Sequence, residues 1–510
     1  MKSVMVNGVD LTIADVVRVA RENAGVSLDK VVRARITAVQ KIIKSTIKDK
    51  QEVYGVTTGF GALSNVFISV EQRRQLQKNI ILSHSAGVGD SFEEETVRAI
   101  MLLRIHGLAQ GHSVIQFHTV KTLVDMLNKG VHPLVPEKGS VGASGDLAPL
   151  AHVALVLIGE GKAVYKGKLL SGKQAMRAAG IPLVELDAGE GLSLVNGTQV
   201  MTGSGALTVY DAVRLLKTAD IAAGMSLEVL LGSNIELNEK IHAVRPHNGQ
   251  LLSAENLRRL TGDSEIISSH RDCTRVQDAY SIRCCPQVHG ASKDALEFVK
   301  NVVGTEINSA TGNPLIFAET GEIFNNGGNF HGQPVALAMD FLTIALSEIA
   351  NISERRIERL VNPLLSGLPA FLVKDAGLNS GMMIAQYTAA ALVSENKILS
   401  HPASVDSIPT SANKEDHVSM GSIAARKCKQ VLFNVENVIA IELLCAAQAM
   451  DLFTNLKAGA GTKEAYSVIR EHITHLEEDR ILSEDIDKMH KLLRDGLLLS
   501  AVEKRIGALN

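Results

Sequence analysis

The feature that most constrains the fold of this chain is a set of long segments in which apolar residues recur every three or four positions. This spacing gives a helix one continuous buried stripe. The clearest examples are Val97, Ile100, Met101, Ile105 and Leu108, then Met339, Leu342, Leu346 and Ile349, and then residues 431–450. Because strand patterns are short and sparse, the sequence predicts an all-α architecture with long bundle helices rather than alternating strands and helices.

Local signals predict two helix starts and two hairpins. The patterns Ser69-Val70-Glu71-Gln72 and Ser91-Phe92-Glu93-Glu94 have the form of a capping box, and each precedes an apolar-periodic run. The second of these helices is expected to end within residues 107–111. Apolar runs on either side of Lys166-Gly167 and of Thr320-Gly321 predict small surface hairpins.

Glycine-rich breaks indicate where the chain divides. Gly189-Glu190-Gly191 precedes a break near residue 200, and Gly459-Ala460-Gly461 precedes a charged tail. We therefore predict an N-terminal domain of residues 1–200, a central helical bundle of residues 201–458 and a C-terminal helical tail of residues 459–510.

Charge and hydropathy exclude several classes of partner. The formal net charge of −3, with no block of basic residues interleaved with aromatics, argues against nucleic acid. The segment after Met1 has no apolar core of the kind that a signal peptide needs. Asp340 and Glu348 interrupt the apolar run of residues 335–352, which is too short for a membrane span. We expect a cytoplasmic protein without membrane segments.

Familiar cofactor motifs are missing from the sequence. The segment Gly159-Glu160-Gly161-Lys162 lacks the first glycine of a phosphate loop, and Gly59-Phe60-Gly61 lacks the third glycine of a dinucleotide loop. The histidines do not have metal-ligand spacing, so no metal site is predicted. Five cysteines without a C-x-x-C spacing indicate reduced thiols. They are Cys273, Cys284, Cys285, Cys428 and Cys445.

A glycine-dense loop, residues 139–150, has two interpretations. In the first, Asp146 is the N-cap of a helix and Pro149 lies in its first turn. In the second, a tight turn presses the Gly145 nitrogen onto the Ala143 carbonyl carbon, and loss of water from Ser144 leaves a methylidene-imidazolone electrophile. Small residues on either side allow the ring to close, and the serine carries the β-leaving group.

Seven motifs follow one another along the chain. They are Tyr54-Gly55-Val56-Thr57-Thr58-Gly59-Phe60-Gly61, Ser83-His84-Ser85-Ala86-Gly87-Val88-Gly89, Ala143-Ser144-Gly145, Asn196-Gly197-Thr198-Gln199, Gln277-Asp278-Ala279-Tyr280-Ser281-Ile282-Arg283, Asn329-Phe330-His331-Gly332-Gln333-Pro334 and Glu415-Asp416-His417-Val418-Ser419-Met420-Gly421. Over residues 10–450 the chain thus resembles the aromatic amino acid ammonia-lyase family, and within it most closely the members that act on histidine.

The resemblance implies a fold, an assembly and a prosthetic group. The fold is the all-α, fumarase/aspartase-like type, with a long central helix bundle, a smaller N-terminal helical domain and a few short hairpins. The assembly is a homotetramer with shared active sites. The prosthetic group is 4-methylideneimidazol-5-one, formed autocatalytically from Ala143, Ser144 and Gly145, and no external cofactor is implied.

The resemblance makes Tyr54 the base that removes the β-proton of an amino acid substrate. Covalent attachment to the electrophile turns the amine into a better leaving group, while a base held close takes the proton. Because tyrosine ordinarily titrates near ~10, this role requires that the pKa of Tyr54 be lowered. A buried structural aromatic is the alternative, although the glycines around it favour an irregular loop.

The resemblance also assigns the groups that bind substrate. Arg283 has a planar fork suited to the α-carboxylate. Hydrogen bonds around the substrate and the prosthetic group come from Tyr280, Gln277 and Asn196. Of these three, Tyr280 is assigned a catalytic role and the other two bind substrate. Phe330 forms an apolar wall. A solvated surface charge for Arg283 and an ordinary core position for Phe330 are the alternatives.

Two residues point to imidazole as the recognised group. Histidine-specific members of the family resemble one another in His84 and Glu415, whereas phenylalanine and tyrosine lyases usually carry glutamine at the latter position. A carboxylate accepts an imidazole N–H and favours its protonated form. The Ser83-His84 pair is weaker evidence, because some tyrosine lyases and aminomutases share it. We therefore expect elimination of ammonia from L-histidine to give trans-urocanate.

Two departures from the family pattern and two rival functions remain. Gly312 stands where aspartate is usual and Lys414 where glutamine is common, which puts the surroundings of the site in question. One rival is a tyrosine or phenylalanine lyase or aminomutase, against which Glu415 argues. The other is a non-catalytic helical scaffold, against which the joint retention of Ser144, Tyr54 and Arg283 argues.

Overall fold

Helices dominate the structure, a computed structural model that describes residues 3–49, 51–271 and 275–510. This confirms the predicted all-α class. The helices in chain order are α1 Ile13–Ala20, α2 Lys30–Lys48, α3 Arg73–His84, α4 Glu94–Ala109, α5 Phe117–Lys129, α6 Leu147–Leu157, α7 Gly172–Ala178, α8 Glu190–Val195, α9 Gln199–Val229, α10 Glu239–Ala243, α11 Asn248–Leu260, α12 Glu265–Ser268, α13 Tyr280–Arg283, α14 Cys285–Ile307, α15 Gln333–Val361, α16 Pro363–Ser366, α17 Met383–Leu399, α18 Gly421–Met450, α19 Ala460–His472, α20 Leu482–Asp495 and α21 Leu497–Ile506. Short 3-10 turns cover Gly61–Leu63, Val70–Gln72, Ile235–Leu237 and Ala370–Leu372.

The strands are three or four residues long and form small separate sheets. They are β1 Val4–Val6, β2 Val26–Leu28, β3 Val88–Ser91, β4 Val131–Pro133, β5 Pro136–Lys138, β6 Lys162–Tyr165, β7 Lys168–Ser171, β8 Leu315–Phe317 and β9 Glu322–Phe324. β1 and β2 pair in parallel, and the other pairs, β3 with β5, β4 with β6, β6 with β7 and β8 with β9, are antiparallel. Such short ladders add local order but cannot form a layer of their own.

The chain contacts group into two compact units whose segments alternate along the sequence. Unit 1 comprises Met1–Tyr210, Lys300–Asp340 and Pro402–Arg426, and unit 2 comprises Asp211–Val299, Phe341–His401 and Lys427–Asn510. This grouping describes spatial contacts, and the three-domain division made from glycine-rich breaks stays a prediction.

The predicted long helices are present and extend beyond the apolar runs that revealed them. α15 encloses residues 339–349 and α18 encloses residues 431–450. α4 ends at Ala109, within the predicted interval. These outcomes confirm that a sustained 3.6-residue period identifies a helix more securely than it identifies the helix ends.

The two predicted capping boxes are wrong in their hydrogen bonding. Ser69 precedes a 3-10 turn, so that α3 begins only at Arg73, and Ser91 lies in β3, so that α4 begins at Glu94. Neither serine side chain caps a helix, because a turn or a strand separates it from the first helical residue. Complete capping boxes form instead at the starts of α1 and α7.

Both predicted hairpins are confirmed. β6 and β7 meet at Lys166 and Gly167, which both have positive φ, 50° and 74°, as a tight two-residue turn requires. The second hairpin joins β8 to β9 with Leu315 opposite Phe324. It is not purely a surface feature, since Ile316 is fully buried in a core cluster. The other described members of that cluster are Val39, Ile43, Val53, Val56 and Val114.

Two helices are apolar and long enough to cross a membrane by length and composition alone. They are α15 and α18, with mean hydropathy of 1.6 and 1.5 over their most apolar 18-residue windows. Inside the protein, 72% and 89% of those windows are buried, which is the behaviour of core helices. The expected absence of a membrane segment stays a prediction.

Candidate active site

The loop that holds Ala143, Ser144 and Gly145 makes a tight turn immediately before α6. Ser144 has a positive φ of 51° and Gly145 one of 76°. A β-carbon on Gly145 would overlap the Gly197 carbonyl oxygen, and one on Gly142 would overlap the Ser419 hydroxyl. The turn is therefore held against neighbouring segments that only glycine can approach. This compressed geometry fits residues from which a cyclic prosthetic group is made.

Asp146 fixes the end of this loop in a way that the sequence did not predict. It occupies the N-cap position of α6, but its side chain makes no cap hydrogen bond there. Instead, its Oδ2 accepts from the amides of Val200 at 3.0 Å and Met201 at 2.9 Å, at the start of α9, while Oδ1 accepts from the Ser140 hydroxyl. Burial raises the pKa of this carboxyl to about 6, against the opposing effect of these hydrogen bonds.

The turn at Asn196 and Gly197 lies directly beside the serine loop. The Gly197 nitrogen donates to the Ser144 carbonyl at 3.2 Å, and the Asp146 nitrogen donates to the Gly197 carbonyl at 2.8 Å. Asn196 is buried, and its Oδ1 accepts from the Asn313 nitrogen at 2.8 Å. Since its amide oxygen is used in this way, the amide N–H groups of Asn196 are its remaining donors.

Glu415 contacts the Ser144 side chain directly. The Ser144 hydroxyl donates to Glu415 Oε1 at 3.1 Å. Glu415 Oε2 accepts from the Thr410 hydroxyl at 2.8 Å, and the two residues also form an isolated antiparallel bridge. The bridge orients the carboxylate, so that one of its oxygens faces Ser144.

Tyr54 lies in the same unit, and its acid–base environment differs from the one expected. Its hydroxyl oxygen accepts from the Gly61 nitrogen at 2.8 Å. Burial raises the pKa of Tyr54 above its ordinary value; the Gly61 hydrogen bond lowers it, and the negative charge of Glu415 raises it further. The described residues of the chain by itself therefore do not supply the lowered pKa that a tyrosine base needs.

His84 is the last residue of α3 and faces the same negative charge. Its Nδ1 lies 3.1 Å from the Ser83 hydroxyl, and its ring centroid lies 5.0 Å from that of Phe60. Burial lowers the pKa of His84, opposed by a backbone hydrogen bond with Ile80 and by the charge of Glu415. A neutral imidazole that can donate or accept one hydrogen bond is therefore favoured.

Of the remaining predicted residues, Phe330 belongs to unit 1 and the other three belong to unit 2. Phe330 is partly exposed in the turn before α15, in unit 1. Gln277, Tyr280 and Arg283 belong to unit 2, where Arg283 Nη2 donates to Gln277 Oε1 at 3.1 Å. The Arg283 guanidinium carbon lies 4.6 Å from the Tyr280 ring centroid. This contact is a cation–π pair.

The Arg283 side chain lines a cavity of about 560 Å³ within unit 2, together with Glu236 and Asp278. Burial raises the pKa of Glu236 to about 7, the charge of Asp278 adds to this, and Arg283 opposes it. Two acidic side chains beside Arg283 make this cavity, on its own, a poor place for a further carboxylate.

Thr410, Asn313 and the Asp146 side chain position the site, and sequence reasoning missed their roles. Asp146 bonds to Val200, 54 positions away, and Asn313 bonds to Asn196, 117 positions away, whereas Thr410 lies only five positions from Glu415. A hydrogen bond between residues so far apart in sequence leaves no local pattern in a single sequence.

Within the described residues, no group of three or more His, Cys, Asp or Glu side chains could hold a metal ion. Cys273 lies outside the described residues, and the other four cysteines are free thiols.

Comparison with known proteins places this geometry in a family. Residues 11–471 match the model of the family described as aromatic amino acid lyase. The chain is 55% identical over 506 residues to histidine ammonia-lyase of Alkaliphilus oremlandii, covering 99% of each chain.

Two solved structures share the fold over nearly their whole length. One is histidine ammonia-lyase from Trypanosoma cruzi, at 45% identity and a TM-score of 0.92, covering 99% of this chain and 96% of that one. The other is tyrosine aminomutase from Streptomyces globisporus, at 39% identity and a TM-score of 0.94, covering 100% of both chains. The chain therefore belongs to the aromatic amino acid lyase family.

Proposed function

We propose that this chain eliminates ammonia from L-histidine to give trans-urocanate. The observation that carries the proposal is the Glu415 carboxylate, which accepts from Ser144 and whose charge acts on both Tyr54 and His84. A reactive serine, a tyrosine and a carboxylate that can accept an imidazole N–H thus meet in one unit. The 55% identical relative that carries the name histidine ammonia-lyase supports the same substrate.

The electrophile forms from Ala143, Ser144 and Gly145 without any redox change. The Gly145 nitrogen bonds to the Ala143 carbonyl carbon, and the carbonyl oxygen leaves as water with the amide hydrogens of Gly145 and Ser144. The Ser144 hydroxyl then leaves as a second water with the hydrogen of its α-carbon. Once formed, the methylidene-imidazolone supplies an electrophilic methylene that makes the substrate amine a better leaving group.

Tyr54 takes the β-proton in this proposal. The Gly61 N–H that donates to its hydroxyl oxygen stabilises the phenolate form, whereas burial and Glu415 oppose it. Activity therefore requires that a positive charge approaches the site when substrate binds. The substrate ammonium group is one such charge, and a protonated imidazole is another.

The other chain groups bind and orient the substrate. Glu415 accepts the imidazole N–H through the oxygen that Ser144 occupies here, and His84 lines the same side. Asn196 donates from its amide toward the reacting end, because its amide oxygen is already bonded to Asn313. Arg283 clamps the α-carboxylate, with Gln277 and Tyr280 beside it. Phe330 supplies an apolar wall.

The assembly and location belong to the same proposal. Arg283 and Ser144 lie in different compact units, and a homotetramer in which neighbouring chains share active sites brings such groups together. The long apolar helices α15 and α18 are suited to a packed multi-chain bundle. We place the enzyme in the cytoplasm, with a small amino acid as its substrate and without an external cofactor, nucleic acid or membrane partner.

Tyrosine aminomutase activity is the second candidate, because a structure of that name superposes on this chain with a TM-score of 0.94. One experiment separates the two. The purified protein is incubated separately with histidine, tyrosine and phenylalanine, and the products are identified by absorbance, ammonia release and mass. Urocanate and an equal amount of ammonia from histidine support the proposal. A β-amino acid, or a faster reaction with tyrosine, contradicts it.

A further inference from the structure

Arg104 is a buried cation at the back of the serine loop. It lies on α4 and is only 3% exposed. Its Nη1 donates to the Asn196 carbonyl at 2.8 Å and to Gln199 Oε1 at 2.7 Å, and its Nη2 donates to the Ser193 carbonyl at 2.6 Å. One guanidinium thus holds three acceptors around the end of α8 and the start of α9.

None of these acceptors is a carboxylate. Burial lowers the pKa of Arg104 to about 9, so the guanidinium remains mostly protonated at neutral pH. Its Nε has no hydrogen-bond partner among the described residues. A buried charge without an ionic partner is destabilising in general, because desolvation is not repaid by an opposite charge. The neutral acceptors and the carbonyl end of α8 offset only part of such a cost.

The turn that Arg104 holds is the one that supports Ser144. A β-carbon on Gly197 would lie 2.7 Å from Arg104 Nη1, so the guanidinium packs against the backbone of this turn. Gly197 in turn pairs with Ser144 and Asp146 through two backbone hydrogen bonds. A displacement of the turn therefore moves the backbone on which ring closure depends.

The same turn leads toward Tyr54 through hydrogen bonds within unit 1. Asn196 accepts from the Asn313 nitrogen, and Asn313 Nδ2 donates to the Asn325 carbonyl. Asn325 Oδ1 accepts from the Tyr54 nitrogen at 3.1 Å. Arg104 is thus connected to both the serine loop and the loop of the proposed base, although it touches neither residue itself.

We propose that Arg104 is a positioning residue that holds the Asn196–Gly197 turn against Ala143-Ser144-Gly145 and so determines how completely this segment cyclises. The inference rests on the proposed function, because it concerns the electrophile of that reaction. Lysine cannot replace the arginine fully, since a single ammonium group cannot reproduce the planar fork that bonds Asn196 and Ser193 together.

Arg98 provides a matched control on the same helix. It is 4% exposed and also donates to main-chain carbonyls, those of Val19 and Leu127. It has no hydrogen bond to the Asn196–Gly197 turn or to the serine loop among the described contacts. Replacing Arg98 therefore imposes a comparable loss of buried hydrogen bonds without disturbing the turn.

The test measures the intact mass of full-length wild type, Arg104→Met, Arg104→Lys and Arg98→Met, each checked for folding by thermal denaturation. Wild type and Arg98→Met should have lost two waters throughout the sample. Arg104→Met should contain mostly unmodified chain, and Arg104→Lys should lie between them. The turnover number per cyclised chain should also fall about 10²-fold in Arg104→Lys, the effect of a small misplacement, while Arg98→Met keeps that number.

Each other outcome overturns the inference. Complete cyclisation in folded Arg104→Met, or an equal deficit in Arg98→Met, would show that Arg104 has no specific role. If Arg104→Met does not fold, complete cyclisation with unchanged turnover in Arg104→Lys leads to the same conclusion. An unmodified wild type would instead remove the electrophile from the proposed function, and the inference would fall with it.

Discussion

Eight of the predicted site residues form two groups, and the surrounding compact unit fixes one group much more firmly than the other. The serine cluster, which we define as Tyr54, His84, Ser144, Asn196 and Glu415, lies in unit 1. Hydrogen bonds between distant segments hold Ser144 to Glu415 and Asn196 to Asn313. The arginine segment, defined as Gln277, Tyr280 and Arg283, lies in unit 2. It contains a four-residue helix, and Tyr280 is 70% exposed.

The difference indicates which side chains of the proposed site are held in position by hydrogen bonds within the chain. In the serine cluster, Asn196 and Glu415 each have an oxygen committed to a protein donor, so their free groups are already aimed. In the arginine segment, Arg283 has one hydrogen bond to a neighbouring side chain and a partner-free Nε among the described atoms. Unit 1 therefore holds the groups around Ser144 in fixed positions, whereas unit 2 gives Arg283 few fixed partners.

Ser144→Ala should have the largest effect, because it removes the only β-leaving group of the serine cluster. No second water can be lost, and activity should fall to the detection limit. Intact mass and near-ultraviolet absorbance report the change. The background is weak because the chain has no Trp and six Tyr. Substantial activity in this variant would show that the electrophile lies elsewhere.

Tyr54→Phe should lower the turnover number by about 10²–10⁴-fold, the usual effect of losing a positioned base. Folding and the loss of two waters on cyclisation should not change. Because the pKa of Tyr54 is raised, deprotonation and hence kcat/KM should increase with pH into the alkaline range. The control is the same pH profile in the variant, where this rise should vanish. If the rise persists, another group is the base.

Arg283→Ala should weaken substrate binding by about 2–5 kcal/mol, the range for truncating one partner of a bonded charge pair. The loss should be seen mainly in KM.

Co-expression of Arg283→Ala with Ser144→Ala tests whether chains share sites. With random assortment in closed tetramers, roughly a quarter of sites would draw both intact residues from different chains. Mixed tetramers with no activity above either parent would place both residues on one chain.

Glu415→Gln should change specificity more than overall turnover. Replacing a carboxylate by a neutral amide should impair histidine by about 1.5–3 kcal/mol, the value of a hydrogen bond to a charged group. Phenylalanine and tyrosine should be affected less, because they present no imidazole N–H. Parallel kcat/KM measurements on the three substrates provide the comparison. Equal losses would assign Glu415 to general catalysis.

Gly312→Asp should have the smallest effect, although it restores the residue usual in the family. A β-carbon at this position would lie 3.6 Å from the Ser113 hydroxyl and 3.8 Å from Asn196 Oδ1, both ordinary contacts. Stability should change by less than about 0.5 kcal/mol. Thermal unfolding measures this directly. A large loss would mean that the Asn196 side of the serine cluster tolerates no added charge.

Much of the fold was predictable because its helices and turns follow from patterns among neighbouring residues. The helix predicted from Val97 to Leu108 and the turn at Lys166-Gly167 depend only on neighbouring residues, and both are confirmed, although α4 is buried on nearly all of its faces rather than along one stripe. The capping boxes at Ser69 and Ser91 failed because an intervening turn or strand competes with the cap, which a four-residue pattern cannot detect.

The candidate site was less predictable, since its properties arise from contacts across the sequence. The family resemblance identified Tyr54 and Glu415 as site residues, but not that Glu415 helps to raise the pKa of Tyr54. The Asp146 side chain met the requirement for an N-cap residue, yet it bonds the first amides of α9 rather than those of α6. Electrostatics of this kind depends on three-dimensional distances.

The hydrogen bond from Ser144 to Glu415 spans 271 positions of the chain. A ribosome must therefore release most of the polypeptide before this contact can exist. If ring closure requires the compressed loop, a chain that has lost two waters must have folded in this region at least once. Intact mass would then show which members of a variant library have folded there, without substrate and without an activity assay.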